Sequence, residues 1–280
     1  MEGGVDKVLM AAVQMTSGID VPANLARARE LLAQAAGRGA KLAVLPENFA
    51  IMAQRSAQRR AVAEEDGEGP IQQMLADSAR EHGLVVVGGT MPLKVPGEQR
   101  VAPASLVYGP DGRRIGRYDK IHLFDVDVPG ATESHRESAG MVAGSQPAVF
   151  DTPVGRIGVA VCYDLRFPEL FRRMGEMGAD CFVVSAAFTV PTGKAHWDVL
   201  VRARAIENLA HLVISAQVGQ HANGRQTYGH SMVVDCWGTV LDELADGEGV
   251  ALAPIDLARQ ARVRREFPAL EHRALGRTIT

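Results

Sequence analysis

Short apolar runs of strand length alternate with segments of helical periodicity almost from one end of this 280-residue chain to the other. That alternation limits the fold to sheets covered by helices, because strands this apolar must bury both faces. Residues 8–15, 41–45, 84–90, 156–161, 180–187 and 211–217 read as buried strands. Between them a helix opens at Asp20 and Pro22 and stops at Gly37 and Gly39, and further helices span 70–82, 168–177 and 195–208. Proline just inside a helix start is favourable, since its missing N–H would find no partner there, and Gly83 is placed to cap the helix before it. Turn residues add paired strands at 105–108 with 114–118, at 148–151 with 156–161, and at 229–235, 239–244 and 250–255. The loosest stretch is 127–146, and an unstructured segment of that length is often functional. No linker or shift of composition divides the chain, so residues 1–280 read as one domain of the α/β class. Periodicity leaves open whether the sheets form a doubly wound fold or a layered sandwich.

Composition excludes several classes of function. Net charge is −3 with both signs interspersed, and the basic runs at Arg59-Arg60, Arg172-Arg173 and 262–265 are short. No basic face for nucleic acid is visible. The start MEGGVDKVLM lacks a basic stretch followed by an apolar one, and no run of about 18 apolar residues occurs. The expectation is a cytoplasmic protein with neither membrane nor nucleic acid as partner. Three cysteines and eight scattered histidines show no metal-ligand spacing, and there is no phosphate-binding glycine loop, no GxSxG and no HExxH. Neither a metal nor an organic cofactor is expected.

An odd cysteine in such a chain needs a reason. Cys162 follows the apolar strand that ends at Val161 and precedes Pro168, which opens a helix. A strand-to-helix corner is where α/β enzymes place nucleophiles, although many free cysteines are simply small buried hydrophobes. Cys181 and Cys236 fit that second description. Glu47 comes straight after the strand 41–45, at the rim where ligands bind such sheets, and desolvation there would raise its pKa toward that of a general base. Lys120 lies in an apolar context where an ammonium can hold an oxyanion, or where a surface lysine can lay its stem. His122 next to it could equally serve the core.

Taken together, the segments around Glu47, Lys120 and Cys162 resemble the nitrilase (carbon–nitrogen hydrolase) superfamily, whose members carry a Glu–Lys–Cys triad in that order. The resemblance runs from AAVQM (11–15) to the terminal helix. Within the superfamily the chain is most similar to the Nit branch, through YDKIHLFDVDVPG (118–130), Arg136-Glu137-Ser138 and CYDLRFPEL (162–170). The segments TGKAHWDVLVRARAIE (192–207) and YGHSMVVDCW (228–237) are closer to members that act on glutathione whose amino group has become a ketone than to the sister that acts on 2-oxoglutaramate. The resemblance implies a four-layer α-β-β-α sandwich, a homodimer or higher homo-oligomer, and hydrolysis of a small-molecule 2-oxo acid amide through a thioester. It implies catalytic roles for Glu47, Lys120, Cys162 and a second glutamate, Glu137. Asn48 after Pro46-Glu47 departs from the motif at a variable position. For substrate binding the expectation is Arg166 on a carboxylate, the Tyr163 N–H on the oxyanion, and Thr189, Thr192 and His196 along the pocket. The helix bearing Arg202, Arg204 and Glu207 is expected at a subunit interface. Other amidases, N-carbamoyl amino acid hydrolases and acyltransferases share the triad, and a scaffold that kept the fold is the non-catalytic rival.

Overall fold

The computed structural model describes residues 7–128, 134–222 and 224–275. Its centre is the strand Val8–Gln14, paired parallel with Leu42–Val44 and antiparallel with Gly249–Ile255. Leu42–Val44 continues parallel to Val85–Val87, which meets the antiparallel strand Val101–Tyr108. Met91–Lys94 and Arg114–Asp119 both pair with that last strand and complete a seven-stranded sheet. A second sheet of six strands runs Val240–Leu244, Ser231–Val234, His211–Ala216, Cys181–Ala186, Gly155–Val161 and Ala148–Thr152. Gly155–Val161, Cys181–Ala186 and His211–Ala216 are its parallel strands.

Side-chain alternation stacks the layers. Met10, Ala12, Leu42, Val44, Val85 and Val87 pack against the second sheet in one core with Ile157, Val159 and Val183. Their neighbours Ala11, Val13, Ala43 and Val86 point the other way, onto the helices Val21–Gly37 and Pro70–His82. On the far side of the second sheet, Leu170, Phe171 and Met174 of Pro168–Glu176 and Trp197, Val201 and Ala205 of Val190–Asn208 close the core. The result is a four-layer α-β-β-α sandwich, which excludes the doubly wound alternative. Because strand periodicity is two, each strand supplies both contacts at once. Buried Ser185 donates to the carbonyl of Leu45 at 2.8 Å and Ser215 to that of Val13, so hydrogen bonds also cross between the sheets.

Helix ends follow local chemistry. Asp20 accepts from the Ala23 N–H, and buried Glu64 accepts from the N–H groups of Ile71 and Gln72 at the start of Pro70–His82. Gly83 ends that helix in the left-handed conformation, φ +60°.

The structure corrects several boundaries. The helix expected at 195–208 begins at Val190, with Pro191 in its first turn. The strand expected at 105–108 starts at Val101; Pro103, which cannot donate to a ladder, hides its first half and lies opposite Pro92 of a strand the sequence pattern did not suggest. Within the stretch read as loose, Ser134–Arg136 pairs with Asp125–Asp127 and a 3₁₀ turn follows at Glu137–Ala139. The short helix Ser56–Ala61 and the pair Val218–Gln220 with Gln226–Tyr228 are further elements without a periodic signature.

Candidate active site

Strands that run parallel deliver their following residues to one rim, and Glu47 and Cys162 both arrive there. Glu47 sits just beyond Leu42–Val44, buried, with its backbone carbonyl accepting from Gln217 Nε2 at 3.0 Å. The loop that carries it touches the backbone at Gly89, φ +53°, where a Cβ would lie 2.2 Å from the Pro46 oxygen. Only glycine permits that approach. Lys120 follows Arg114–Asp119, fully buried, and its N–H donates to Pro103 O at 3.1 Å. Glu137 opens the 3₁₀ turn and accepts from the Phe124 N–H at 2.9 Å.

The Lys120 ammonium bridges the two carboxylates, with Nζ 2.8 Å from Glu47 Oε1 and 2.8 Å from Glu137 Oε2. Burial works against its charge, but Glu137 and Glu47 outweigh burial and hold its pKa above the ordinary lysine value. Burial likewise pulls Glu137 upward, and the nearby ammonium with its hydrogen bond reverses this, so the carboxyl titrates below its usual range. That contribution to stability is present above the ordinary glutamate range and is lost as pH falls through the depressed value.

Cys162 opens the 3₁₀ turn Cys162–Arg166 at φ +49°, a left-handed conformation rare for a residue with a Cβ. The α-helix that follows starts at Pro168, where the sequence places it. Strain at such a corner is a mark of functional sites. Burial and then the Glu47 charge push the thiol up, and the opposing pull of Lys120 does not restore it. At rest the sulfur therefore holds its proton, and a thiolate has to be made by transfer to a base.

Two buried groups hold this corner. Asp164, fully buried, accepts from Tyr118 OH at 2.7 Å, from the N–H of Val161 at 2.8 Å and from the N–H of His122 at 3.0 Å, with His122 Nδ1 at 2.7 Å. Burial beside Asp164 raises the Tyr118 pKa, so its phenol stays a donor. Tyr118 and His122 flank Lys120, so one carboxylate ties the lysine segment to the cysteine turn. Arg204 Nε donates to Leu165 O at 2.9 Å from beneath. Arg204 is thus buried against the turn, while Arg202 reaches Gly238 O on the outside of the same helix. Asp164 and Tyr118 were within reach of sequence reasoning, since each stands two residues from a triad member.

Cys162, Tyr163, Arg166, Thr189 and Thr192 line one narrow slot with Phe124 and Phe188. Arg166 lies 5.2 Å over the Phe188 ring and 3.2 Å from His196 Nδ1. Asp164 is committed to Tyr118 and His122, leaving Arg166 directed at the slot. Thr189 and Thr192 hydroxyls meet at 2.9 Å. His196 reaches the slot only through Arg166. A wider cavity of about 490 Å³ shares Arg225 with the slot and is also lined by Glu137, Asn48, Arg55, Arg59 and Arg136. Arg59 and Arg225 come from segments without periodicity, and no signal in the sequence points to them. Among the described residues no cluster of His, Cys, Asp and Glu could hold a metal ion, and no helix is long and apolar enough to cross a membrane.

A layered sandwich with a Glu–Lys–Cys cluster at its strand ends defines a class of hydrolases. The carbon–nitrogen hydrolase family matches residues 9–265, and the chain belongs to that family. It is an enzyme that hydrolyses carbon–nitrogen bonds other than peptide bonds. It is 40% identical over 272 residues to the deaminated glutathione amidase of Synechocystis sp., covering 95% of this chain and 97% of that one. It is 35% identical over 272 residues to omega-amidase NIT2 of Danio rerio, covering 96% and 95%. Among solved structures it superposes on the C. elegans NitFhit protein with a TM-score of 0.88 at 34% identity, covering 97% of this chain and 66% of that longer one.

Proposed function

We propose that this chain is a single-domain amidase that hydrolyses deaminated glutathione to 2-oxoglutarate and cysteinylglycine, with Cys162 as nucleophile. The observation that carries the reading is the buried Lys120 ammonium held between Glu47 and Glu137 beside the strained Cys162. Relatives of near-equal length named for this substrate support it. Glu47 takes the Cys162 proton as sulfur bonds to the amide carbon. The oxyanion is held by Lys120 and the Tyr163 N–H, a donor of a kind worth about 3 kcal/mol of barrier. As the tetrahedral adduct collapses, the C–N bond breaks and Glu47 returns the proton to the leaving amine. Water, deprotonated by Glu47, then hydrolyses the thioester and restores the thiol. Glu137 holds Lys120 in place, and Arg166 grips the carboxylate of the acyl half. Thr189 and Thr192 shape the slot, and His196 orients Arg166.

The sister reading, 2-oxoglutaramate as substrate with ammonia as product, is favoured by the 35% identity to the omega-amidase. Side-by-side turnover on both amides, with Cys162→Ala as control, separates the two. Preference for deaminated glutathione, abolished in the control, is expected; preference for 2-oxoglutaramate selects the sister activity. Turnover of neither overturns both.

Two further parts of the reading concern assembly and place. Val199, Ile206, Trp237 and Phe267 are 67%, 46%, 51% and 52% exposed on and beside Val190–Asn208, an apolar face suited to a second copy of the chain. Sedimentation should show a dimer that Val199→Glu dissociates. Three unpaired buried cysteines fit a reducing, cytoplasmic setting.

A further inference from the structure

We propose that the arginine-lined cavity beside Glu137 is the binding site for the leaving half of the substrate and grips a carboxylate there. The inference rests on the amidase reading above and deepens it. Arg166 serves the slot that contains Cys162, which leaves the second cavity without an assigned role.

Four guanidinium groups line it, those of Arg55, Arg59, Arg136 and Arg225, against one carboxylate among the described lining residues, Glu137. Glu137 is already committed to the Lys120 ammonium and the Phe124 N–H. Arg136 pairs with Asp127 at 2.9 Å and lies at the mouth. The inner residue is Arg59, whose Nε is buried with no hydrogen-bond partner among the described residues. A buried unpaired donor on a charged group is costly, and its persistence in a cavity calls for a ligand. Burial, with the Arg225 charge nearby, also pulls the Arg59 pKa down against the attraction of Glu137 and Glu47. An anion between Arg59 and Arg225 would relieve both effects. Guanidinium groups suit a planar carboxylate better than a point charge does.

The position is consistent with a leaving group and not with the acyl half. Arg225 lines both cavities, so a substrate bonded to Cys162 in the slot would pass Glu137 and Arg225 with its departing end in the wider space. A cysteinylglycine unit reaches roughly 7 Å beyond the scissile nitrogen and ends in a carboxylate. Ammonia, leaving from 2-oxoglutaramate, would use none of this cavity. The arginines therefore select between two amides that share an acyl half.

Steady-state kinetics of the full-length enzyme on deaminated glutathione and 2-oxoglutaramate tests this with Arg59→Gln and, as a variant with no buried role, Arg55→Ala. The ratio of kcat/KM for deaminated glutathione to that for 2-oxoglutaramate should fall at least tenfold in Arg59→Gln and several-fold in Arg55→Ala, mainly through KM. An unchanged ratio in both variants, whether or not both activities drop, overturns the inference and leaves the amidase reading intact. If the wild type hydrolyses neither amide, the reading itself has failed and the cavity is judged by calorimetry. Cysteinylglycine binding better than its C-terminal amide, with the difference lost in Arg59→Gln, would still support a carboxylate site; equal binding of acid and amide would overturn it.

Discussion

Cys162 directly follows one parallel strand and Cys181 opens its neighbour, and the two differ little in what surrounds the sulfur at first sight. Both are buried, at 6% and 1% exposure, and burial pushes both thiols well above their ordinary range. They sit at opposite ends of the sheet. Cys181 starts its strand, in register with Ile157 and His211, and among the described residues the charge acting on it is that of Asp180. Cys162 leaves the C-terminal end of Gly155–Val161 with φ +49° and faces Glu47, Lys120 and Glu137. A buried thiol by itself is inert. It gains chemistry when the strand ends that meet around it bring a base and a fixed cation, and in open and layered α/β sheets those are the C-terminal ends.

The sharpest way to break this comparison is to remove each sulfur. Cys162→Ala should lower turnover by roughly 10⁴-fold or more while leaving the fold intact. Cys181→Ala should keep turnover near wild type and cost about 1 kcal/mol of stability, as small core truncations do. Comparable loss of activity in both variants would mean the strand ends are not what separates them. The next effect concerns the cation. Glu137→Gln should reduce kcat roughly 10²-fold, because Lys120 keeps one charged partner of two and is less firmly aimed. Circular dichroism should report a folded protein, and near-normal kcat would remove Glu137 from the mechanism. A smaller effect is expected from Asp164→Asn. Its amide N–H₂ would confront the donors of Tyr118, Val161 or His122, costing about 2 kcal/mol of stability and roughly tenfold in kcat as the cysteine turn and the lysine segment lose their shared tie. Cys181 has no such tie, and mutations around it should act on stability alone.

How much of this was legible follows the same division. Strands such as Val8–Gln14 and Cys181–Ala186 are apolar on both faces, so their burial is written in composition, and the residues that follow them mark the rim. Glu47 and Cys162 were readable for that reason, and Lys120 and Glu137 through the motifs that resemble the family. What periodicity could not deliver was anything fixed by tertiary contact alone. Pro103 disguised half a strand, and the pairing of Asp125–Asp127 with Ser134–Arg136 sits in a stretch with no alternation. Nothing in the pattern of its helix marks Arg204 as the arginine that turns inward, where it supplies the donor that Leu165 O needs. Arg59 and Arg225 meet at the wide cavity from short elements far apart in sequence, and no local rule brings them together.

The least conspicuous prediction concerns alkaline pH, where the two cysteines should behave alike. A thiol whose folded pKa is raised stays protonated in the native state, while the unfolded chain ionises near the ordinary value of about 9. Above that pH the native state holds more protons than the unfolded one, so stability must fall as pH rises. Each such thiol contributes up to about 1.4 kcal/mol per pH unit to that fall until its folded pKa is reached. Denaturant unfolding between pH 9 and 10.5 should therefore show a shallower decline in Cys162→Ala and in Cys181→Ala, by similar amounts, and a shallower one still in the double variant. Lys120, raised by its carboxylates, keeps its contribution across this window and loses it only above the ordinary lysine range. A flattened slope for Cys181→Ala but not for Cys162→Ala would mean that the folded Cys162 site holds no extra proton over this range, so that the thiol is already ionised in the resting enzyme and Glu47 has no proton to take from it.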